Sequence, residues 1–409
     1  MHWARALSRA ACVVLLATAG CFGDDDANDP DLPNDDDAST QEQDGDGGGD
    51  GDGDPGDGDG DPGDDDGDPG DGDGDGDPGD GDGDGDGDVN NGIPGDCPEL
   101  GPTTPPETLR CAGLYSDVES KKLAAGVRMF KPAIELWSDG AEKTRWISLP
   151  EGETIDVSDR DAWVFPIGTR LFKEFKWNGK RAETRLYWKR TPTFWSRATY
   201  HWNEDETEAT RHGGGEVQVG GESYLIPSGT ECDQCHEGRP DNVLGFETIL
   251  LGLEGAEGIT LADAVADGML SDDDYSTDIT LGDDGTGEAA AAMGWMHVNC
   301  GISCHNGNSS SEAYRTGLRL ALQADEAEGG GLSGADALAT TIGVDATTPR
   351  WDDWQRIVPG NPDESLVFWL MSMRNPANRK DQMPPIASRV VDDEGVRLVE
   401  NWIMALENP

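Results

Sequence analysis

A β-rich, sandwich-like domain followed by an all-α unit, both behind a long disordered acidic N-terminal linker, is the fold class the sequence predicts. Three observations carry it. Residues 24–88 hold about thirty acids, nearly all Asp in Asp-Gly and Asp-Pro-Gly repeats, and no Lys or Arg. Residues 169–190, "TRLFKEFKWNGKRAETRLYWKR", alternate their side chains on either side of Asn178-Gly179. Residues 390–408, "VVDDEGVRLVENWIMALEN", repeat apolar side chains at helical spacing.

The extreme N-terminus, "MHWARALSRAACVVLLATAGC", has Arg5 and Arg9, an apolar run from Ala10 to Ala19, and small residues before Cys21. That order reads as a secretory signal, too short to span a membrane as a mature helix. Its Ala19-Gly20-Cys21 ending looks like a bacterial lipobox, making Cys21 the lipidated first residue, although Thr18 stands where Leu is usual. Ordinary cleavage near Ala19 is the alternative. Phe22, rather than Asp, after Cys21 leans toward the outer membrane.

The Asp/Gly tract has no apolar periodicity and cannot bury a core, so it is expected to be disordered and self-repelling, a tether between lipid and head. Its D-x-D-x-D-G repeats, as in "DGDGDG" from Asp82, lack the bidentate Glu of an EF-hand, which argues against specific calcium sites. With 83 acids against 30 bases, the formal net charge is -53, which disfavours nucleic acid as a partner. The expected organisation is a signal over 1–20, a tether over 21–96, a β-rich domain over 97–283 and a helical domain over 284–409.

In the β-rich part, Leu171, Lys173, Phe175 and Trp177 alternate with Phe172, Glu174 and Lys176, and Asn178-Gly179 is a type I′ hairpin turn. "GEVQVGGESYLIP" predicts a second hairpin about Gly220-Gly221. Trp137, Trp146, Trp163, Trp177, Trp188, Trp195 and Trp202 read as core, and Lys173 as a strand surface residue. In the last part, "GEAAAAMGWMHVN" is a good helix former. Another helix should follow "PGNPDES", with Leu366, Trp369, Leu370 and Met373 on one face. The closing helix carries Val396, Val399, Trp402, Ile403 and Leu406, with Asp392 and Asp393 at its start.

The cysteines divide by position. Cys97 and Cys111 flank a Pro-rich loop, and an exported protein meets an oxidising compartment, so a Cys97–Cys111 disulfide is expected. Of the eight, Cys12 leaves with the signal and Cys21 is the expected lipid anchor; the remaining four form two pairs, each ending in His: "CDQCH" over 232–236 and "CGISCH" over 300–305. Haem c attachment needs two thiols at the spacing of two vinyl groups and an imidazole directly after the second. Cys232, Cys235 and His236 supply that order. A redox dithiol, a plain disulfide and half of a zinc site are the other readings. In the second motif one extra residue separates Cys300 from Cys304 and His305. On a helix, i+3 and i+4 both lie on the face of i, so the insertion need not turn Cys300 away. Downstream, "DQMPPIAS" offers Met383 as a soft sixth ligand on a proline-restricted loop, against the common fate of Met as core filler. His201, His212 and His297 read as structural or surface residues; His201, His212 or Met269 could supply a sixth ligand at the first motif, and the sequence does not choose.

The blocks "PAIELWSDGAEKTRWISLPEGETI", "WVFPIGTRLFKEF", "ETRLYWKR", "YHWNEDETEA", "IPSGTECDQCH", "HVNCGISCHN", "IVPGNPDESLVFWLMSMR" and "QMPPIASRVVDDEGVRLVENWI" together resemble a family of exported bacterial dihaem c-type cytochromes, over roughly residues 112–409. The resemblance implies a β-rich region ending in the first attachment motif, then a cytochrome c-like helical domain. It implies two haem c groups, at Cys232, Cys235 and His236 and at Cys300, Cys304 and His305, with Met383 as the second group's distal ligand. The C-x-x-x-C-H spacing at the second site departs from the family's C-x-x-C-H. A weaker likeness, on the "GT-x-L-x-K-E" strand, is to lysine-cross-linked haem c proteins that oxidise hydroxylamine, where Lys173 would match.

The expected function is extracytoplasmic one-electron transfer by a lipid-tethered dihaem cytochrome with a basic redox partner. The alternatives are a haem enzyme, peroxidase-like or hydroxylamine-oxidising, with an open site on the first haem, and a haem-free surface lipoprotein with a zinc-bound or disulfide-stapled head. No catalytic nucleophile–base pair or phosphate loop competes with these readings.

Overall fold

Strand propensity and turn chemistry build the centre of the molecule. In the computed structural model the described residues are 93–328, 332 and 335–406, so the signal, Cys21 and nearly all of the tether lie outside them. β1 (Tyr115–Asp117) and β2 (Lys122–Leu123) form a short hairpin. β3 (Arg128–Lys131), β4 (Glu142–Ser148), β5 (Arg170–Trp177), β6 (Lys180–Thr191), β7 (Phe194–Trp202) and β8 (Ala209–His212) run as an antiparallel meander. β9 (Gly215–Val219) and β10 (Glu222–Ile226) form a separate hairpin, and β11 (Glu257–Gly258) returns to pair with β3. The sheet order is β11-β3-β4-β5-β6-β7-β8.

Asn178 (φ 50°) and Gly179 (φ 76°) both take the positive φ of a type I′ turn, as their sequence predicts. Gly220 (φ 60°) and Gly221 (φ 86°) do the same in the second hairpin.

The sandwich expectation is corrected: one seven-stranded sheet is covered on its two faces by different kinds of chain. The cross-strand row Trp146, Phe172, Leu186 and Ala198 packs beneath Leu109, Leu114 and Tyr115 from the segment before β3. The Cys97–Cys111 disulfide, with a Cα–Cα distance of 5.7 Å, staples that segment. The opposite face carries Phe130, Ile147 and Trp195 into a core that continues through Phe246, Met296, Val399 and Trp402. Alternation in sequence reports that a strand has two faces, not what covers each.

The C-terminal part is only modestly helical, which corrects the all-α expectation. Its helices are Ala289–Met296, Ala324–Glu328, Asp336–Ala339, Leu366–Met371 and Asp393–Ala405. The stretches between them carry turn formers such as "NGNSSS" and "VDATTPR", which favour local side-chain-to-backbone bonds over helix. Leu366–Met371 ends before Met373 and buries Leu366, Leu370 and Met371 rather than Trp369. The closing helix is as predicted: the Asp392 carboxylate caps it at the Gly395 N–H, and Val399, Trp402 and Ile403 are buried. It crosses Ala289–Met296 at Gly395, where a Cβ would lie 2.2 Å from the Trp295 ring. Trp295 Nε1 donates to Asp392 Oδ2 across the same crossing, at 2.8 Å.

Candidate functional site

The first motif lies on a helix that its own sequence sets. Ser228 and Glu231 form a reciprocal capping box, and α1 (Gly229–His236) carries Cys232, Cys235 and His236. α1 rests on the sheet face that bears Arg185, Tyr187 and Arg197. The His236 ring stacks on Tyr187 with centroids 4.1 Å apart, and Arg197 pairs with Asp233. Cys232 borders a cavity of about 280 Å³ lined also by Arg185, Tyr187, Arg197, Arg211 and His212.

His236 is held in one orientation. Its Nδ1 lies 2.7 Å from the Asn242 carbonyl oxygen, which fixes the proton on Nδ1 and leaves Nε2 as the lone-pair nitrogen. Burial, with the Lys173, Arg185 and Arg197 charges, pushes its pKa down to about 4 against the Asn242 carbonyl's opposing effect, so the imidazole is neutral at pH 7. The loop that presents Asn242 is itself pinned. Asp241, next in line and at φ 52°, accepts two bonds of 2.7 Å from the buried Lys189 ammonium, one of 3.0 Å from Trp195 Nε1 and one of 2.7 Å from the Phe165 N–H.

The second motif solves its extra residue by widening the turn. The helix Ala289–Met296 passes into a π-helical turn over His297–Gly301. The His305 N–H then donates to the Cys300 carbonyl at 2.8 Å, an i→i+5 bond. In an α-helical C-x-x-C-H the His N–H donates to that same first-Cys carbonyl as an i→i+4 bond. The insertion thus preserves the link between first Cys and His, by a π turn rather than by the shared helix face expected from the sequence. Gly301 permits it, since a Cβ there would lie 2.5 Å from the Leu320 carbonyl. His305 is buried, and its Nδ1 has no partner among the described residues. Burial first, then Arg356 and Arg319, push its pKa down to about 4.

Burial also pushes up all four thiols, Cys235 and Cys300 to about 12. A redox dithiol needs the reverse, an electropositive site that favours thiolate.

The two motifs meet. A Cβ on Gly238, just past His236, would stand 1.9 Å from the Ser303 carbonyl oxygen. The Asn306 amide, just past His305, donates to the carbonyls of Gly238 (3.1 Å), Gly301 (3.0 Å) and Ile302 (3.2 Å). Cys304 is close enough to Cys235 for its charge to help raise the Cys235 thiol's pKa. A buried polar chain runs alongside. Arg239 Nη2 and His297 Nε2 each lie 3.5 Å from the Glu247 carboxylate, and His297 Nδ1 accepts from the Leu322 N–H at 3.0 Å. Burial alone would raise the Glu247 pKa, but His297, Arg239 and the Leu250 N–H outweigh it and hold it at about 2.

Met383 shares a small cavity with Trp295, Asn299 and Arg374, which brings it beside the residue before Cys300. Its N–H donates to the Leu370 carbonyl at 2.9 Å. Of the three candidate sixth ligands for the first motif, His212 lines the Cys232 cavity. His201 is tied by Nδ1 to the Ala182 carbonyl at 2.9 Å. Met269 is core, with its sulfur 3.3 Å from the Arg128 guanidinium.

Lys173 is not the surface residue its strand position suggested. It is partly buried and lines a cavity with Arg145, Ile302 and Ser303. Burial, then the Arg145, Lys143 and Arg185 charges, push its ammonium well below the usual lysine range. Tyr187, Lys189, Asp241, Asn242 and Glu247 escaped sequence reasoning. Nothing local marks them; only the β5–β6 alternation, carried across the hairpin, could have aligned Tyr187 with Leu171 and Arg185 with Lys173.

Among the described residues no group of three or more His, Cys, Asp and Glu side chains is arranged to hold a metal ion, and no helix is long and apolar enough to cross a membrane. No family model, curated protein or solved structure matches the chain.

Proposed function

We propose that this chain is a dihaem c-type cytochrome working in extracytoplasmic one-electron transfer, exported and lipid-anchored at Cys21. The reading rests on one observation above others: two thiol pairs, each followed by a neutral imidazole, are packed against one another through Gly238, Ser303 and Asn306. The donor set suits haem c. Cys232 and Cys235, and Cys300 and Cys304, would hold the vinyl-derived carbons as thioethers, His236 and His305 would face the irons, and Met383 is the candidate distal residue of the second.

Bound haem supplies reversible one-electron iron chemistry; the chain orients it, buries it and sets its surroundings. Asn242 keeps the His236 Nε2 lone pair free, and burial keeps both imidazoles unprotonated at neutral pH. Contact between the motifs favours short transfer from one site to the other. The acidic chain favours a basic partner and salt-sensitive association.

The test is haem per polypeptide by pyridine haemochrome on protein matured with a cytochrome c assembly system, with Cys300→Ala beside it. Two haems in the parent, one shifted toward a single-thioether spectrum in the variant, support the reading. One haem unchanged by the variant reduces it to a monohaem protein, and no covalent haem overturns it. The cavity beside Cys232 favours a second reading, an open first site that binds a small substrate. A high-spin component in the oxidised spectrum would select it.

A further inference from the structure

Beneath both motifs the sheet carries a line of cations. Arg145 pairs in register with Lys173, Lys173 with Arg185, Arg185 with Thr199 and Thr199 with His212, so one row crosses β4 to β8 on one face. Like charges directly opposite on neighbouring strands repel, and such a row needs counter-charge. Arg145 has Glu135 at 2.7 Å, and Lys143 reaches the same carboxylate at 4.0 Å. Arg185 has both Glu183 oxygens, at 2.6 Å and 2.9 Å. Lys173, in the middle, has no carboxylate partner among the described residues; its ammonium lies 5.3 Å from the Phe175 ring centroid. Glu135 and Glu183 thus form ion pairs with Lys143, Arg145 and Arg185, Asp392 adds its charge at Lys143, and no carboxylate among the described residues pairs with Lys173, in a chain where acids outnumber bases 83 to 30.

The position of this excess is specific. Lys173 and Arg145 line a cavity of about 20 Å³ whose other walls include Ile302 and Ser303 from the second motif and Val298 just before it. That volume holds about one oxygen-sized atom. The Lys173 charge also reaches Cys235 and His236 of the first motif.

We propose that the Arg145–Lys173–Arg185 row is an anion site at the junction of the two motifs, which binds a carboxylate or small oxyanion on Lys173. The anion has two sources. One is a propionate of a haem held at either motif, which rests on the function proposed above; the other is a free oxyanion from solvent, which does not. In either case the ligand supplies the missing counter-charge and favours the protonated ammonium that burial opposes.

The experiment uses the full chain, matured with haem, as parent, Lys173→Met and Lys173→Arg, with circular dichroism confirming that each is folded. Haem content of the parent is measured first and judges the cytochrome reading by itself. Sodium nitrite is then titrated by calorimetry. Saturable binding that weakens at least about tenfold in Lys173→Met and persists in Lys173→Arg supports the site with a free oxyanion as ligand. No nitrite binding, with a resonance Raman propionate bending band that moves in Lys173→Met and returns in Lys173→Arg, supports it with propionate as ligand; the midpoint potential then falls in Lys173→Met. A folded Lys173→Met with parent-like nitrite binding and an unmoved propionate band overturns the site. Protein without haem is judged on nitrite alone, and absence of binding to it overturns the site as well.

Discussion

His236 Nδ1 lies 2.7 Å from the Asn242 carbonyl oxygen, and the residue beside Asn242, Asp241, is locked by four hydrogen bonds, two of them from Lys189. The imidazole is thereby oriented by a buried ion pair that it does not touch. Asp241→Ala leaves the Lys189 ammonium buried without its partner. It is expected to destabilise the fold by about 3 kcal/mol in urea denaturation. Lys189→Met in the same background should restore much of that loss. If the single variant unfolds like the parent, the pair does not pin the loop.

Gly238 tests the contact between motifs. Gly238→Ala drives a Cβ into the Ser303 carbonyl and should cost about 3 kcal/mol, since backbone cannot yield as a side-chain tip can. Gly307→Ala, in the neighbouring loop with nothing within 4 Å of the added Cβ, should stay within about 0.5 kcal/mol of the parent. Equal effects at the two positions would mean that the motifs do not abut.

Asp161 gives a pH signature. Burial first, with Glu247 adding and the Ala324 N–H opposing, raises its pKa from 3.8 to about 6. The folded state therefore binds this proton more tightly than the unfolded state. Stability falls as pH rises from about 4 to about 6, and the full cost is present above that window. Asp161→Asn keeps an acceptor for the Ala324 N–H and removes the charge. Thermal melts should show it stabilised by about 1 kcal/mol at pH 7, after allowance for solvent screening at its exposed edge, and unchanged near pH 3. A variant that melts with the parent at both pH values removes the claim.

The Cys97–Cys111 disulfide closes a loop with a sequence separation of 14. Cys97→Ser with Cys111→Ser should lower stability by about 3 kcal/mol, the cross-link's effect on the unfolded chain. Chemical denaturation measures it, and full parental stability would show that the covering segment holds without its staple.

Period-two alternation, Asn178-Gly179 and the apolar spacing from Val396 to Leu406 are local signals, and they were sufficient to specify a hairpin and a helix. The C-x-x-C-H and C-x-x-x-C-H spacings named the thiols and imidazoles by the same local logic. What those elements meet was settled at long range. A strand's alternation is the same whether a second sheet, a coil or a short helix covers it, so the sandwich was legible only as β-rich. Lys173 reads as an ordinary polar strand position until the strands register and Ile302 and Ser303 of the second motif close over it. The Gly238–Ser303 contact and the Lys189–Asp241 pair span 65 and 52 positions respectively. No window of sequence contains such partners, because burial, register and close approach arise only when distant segments share one core.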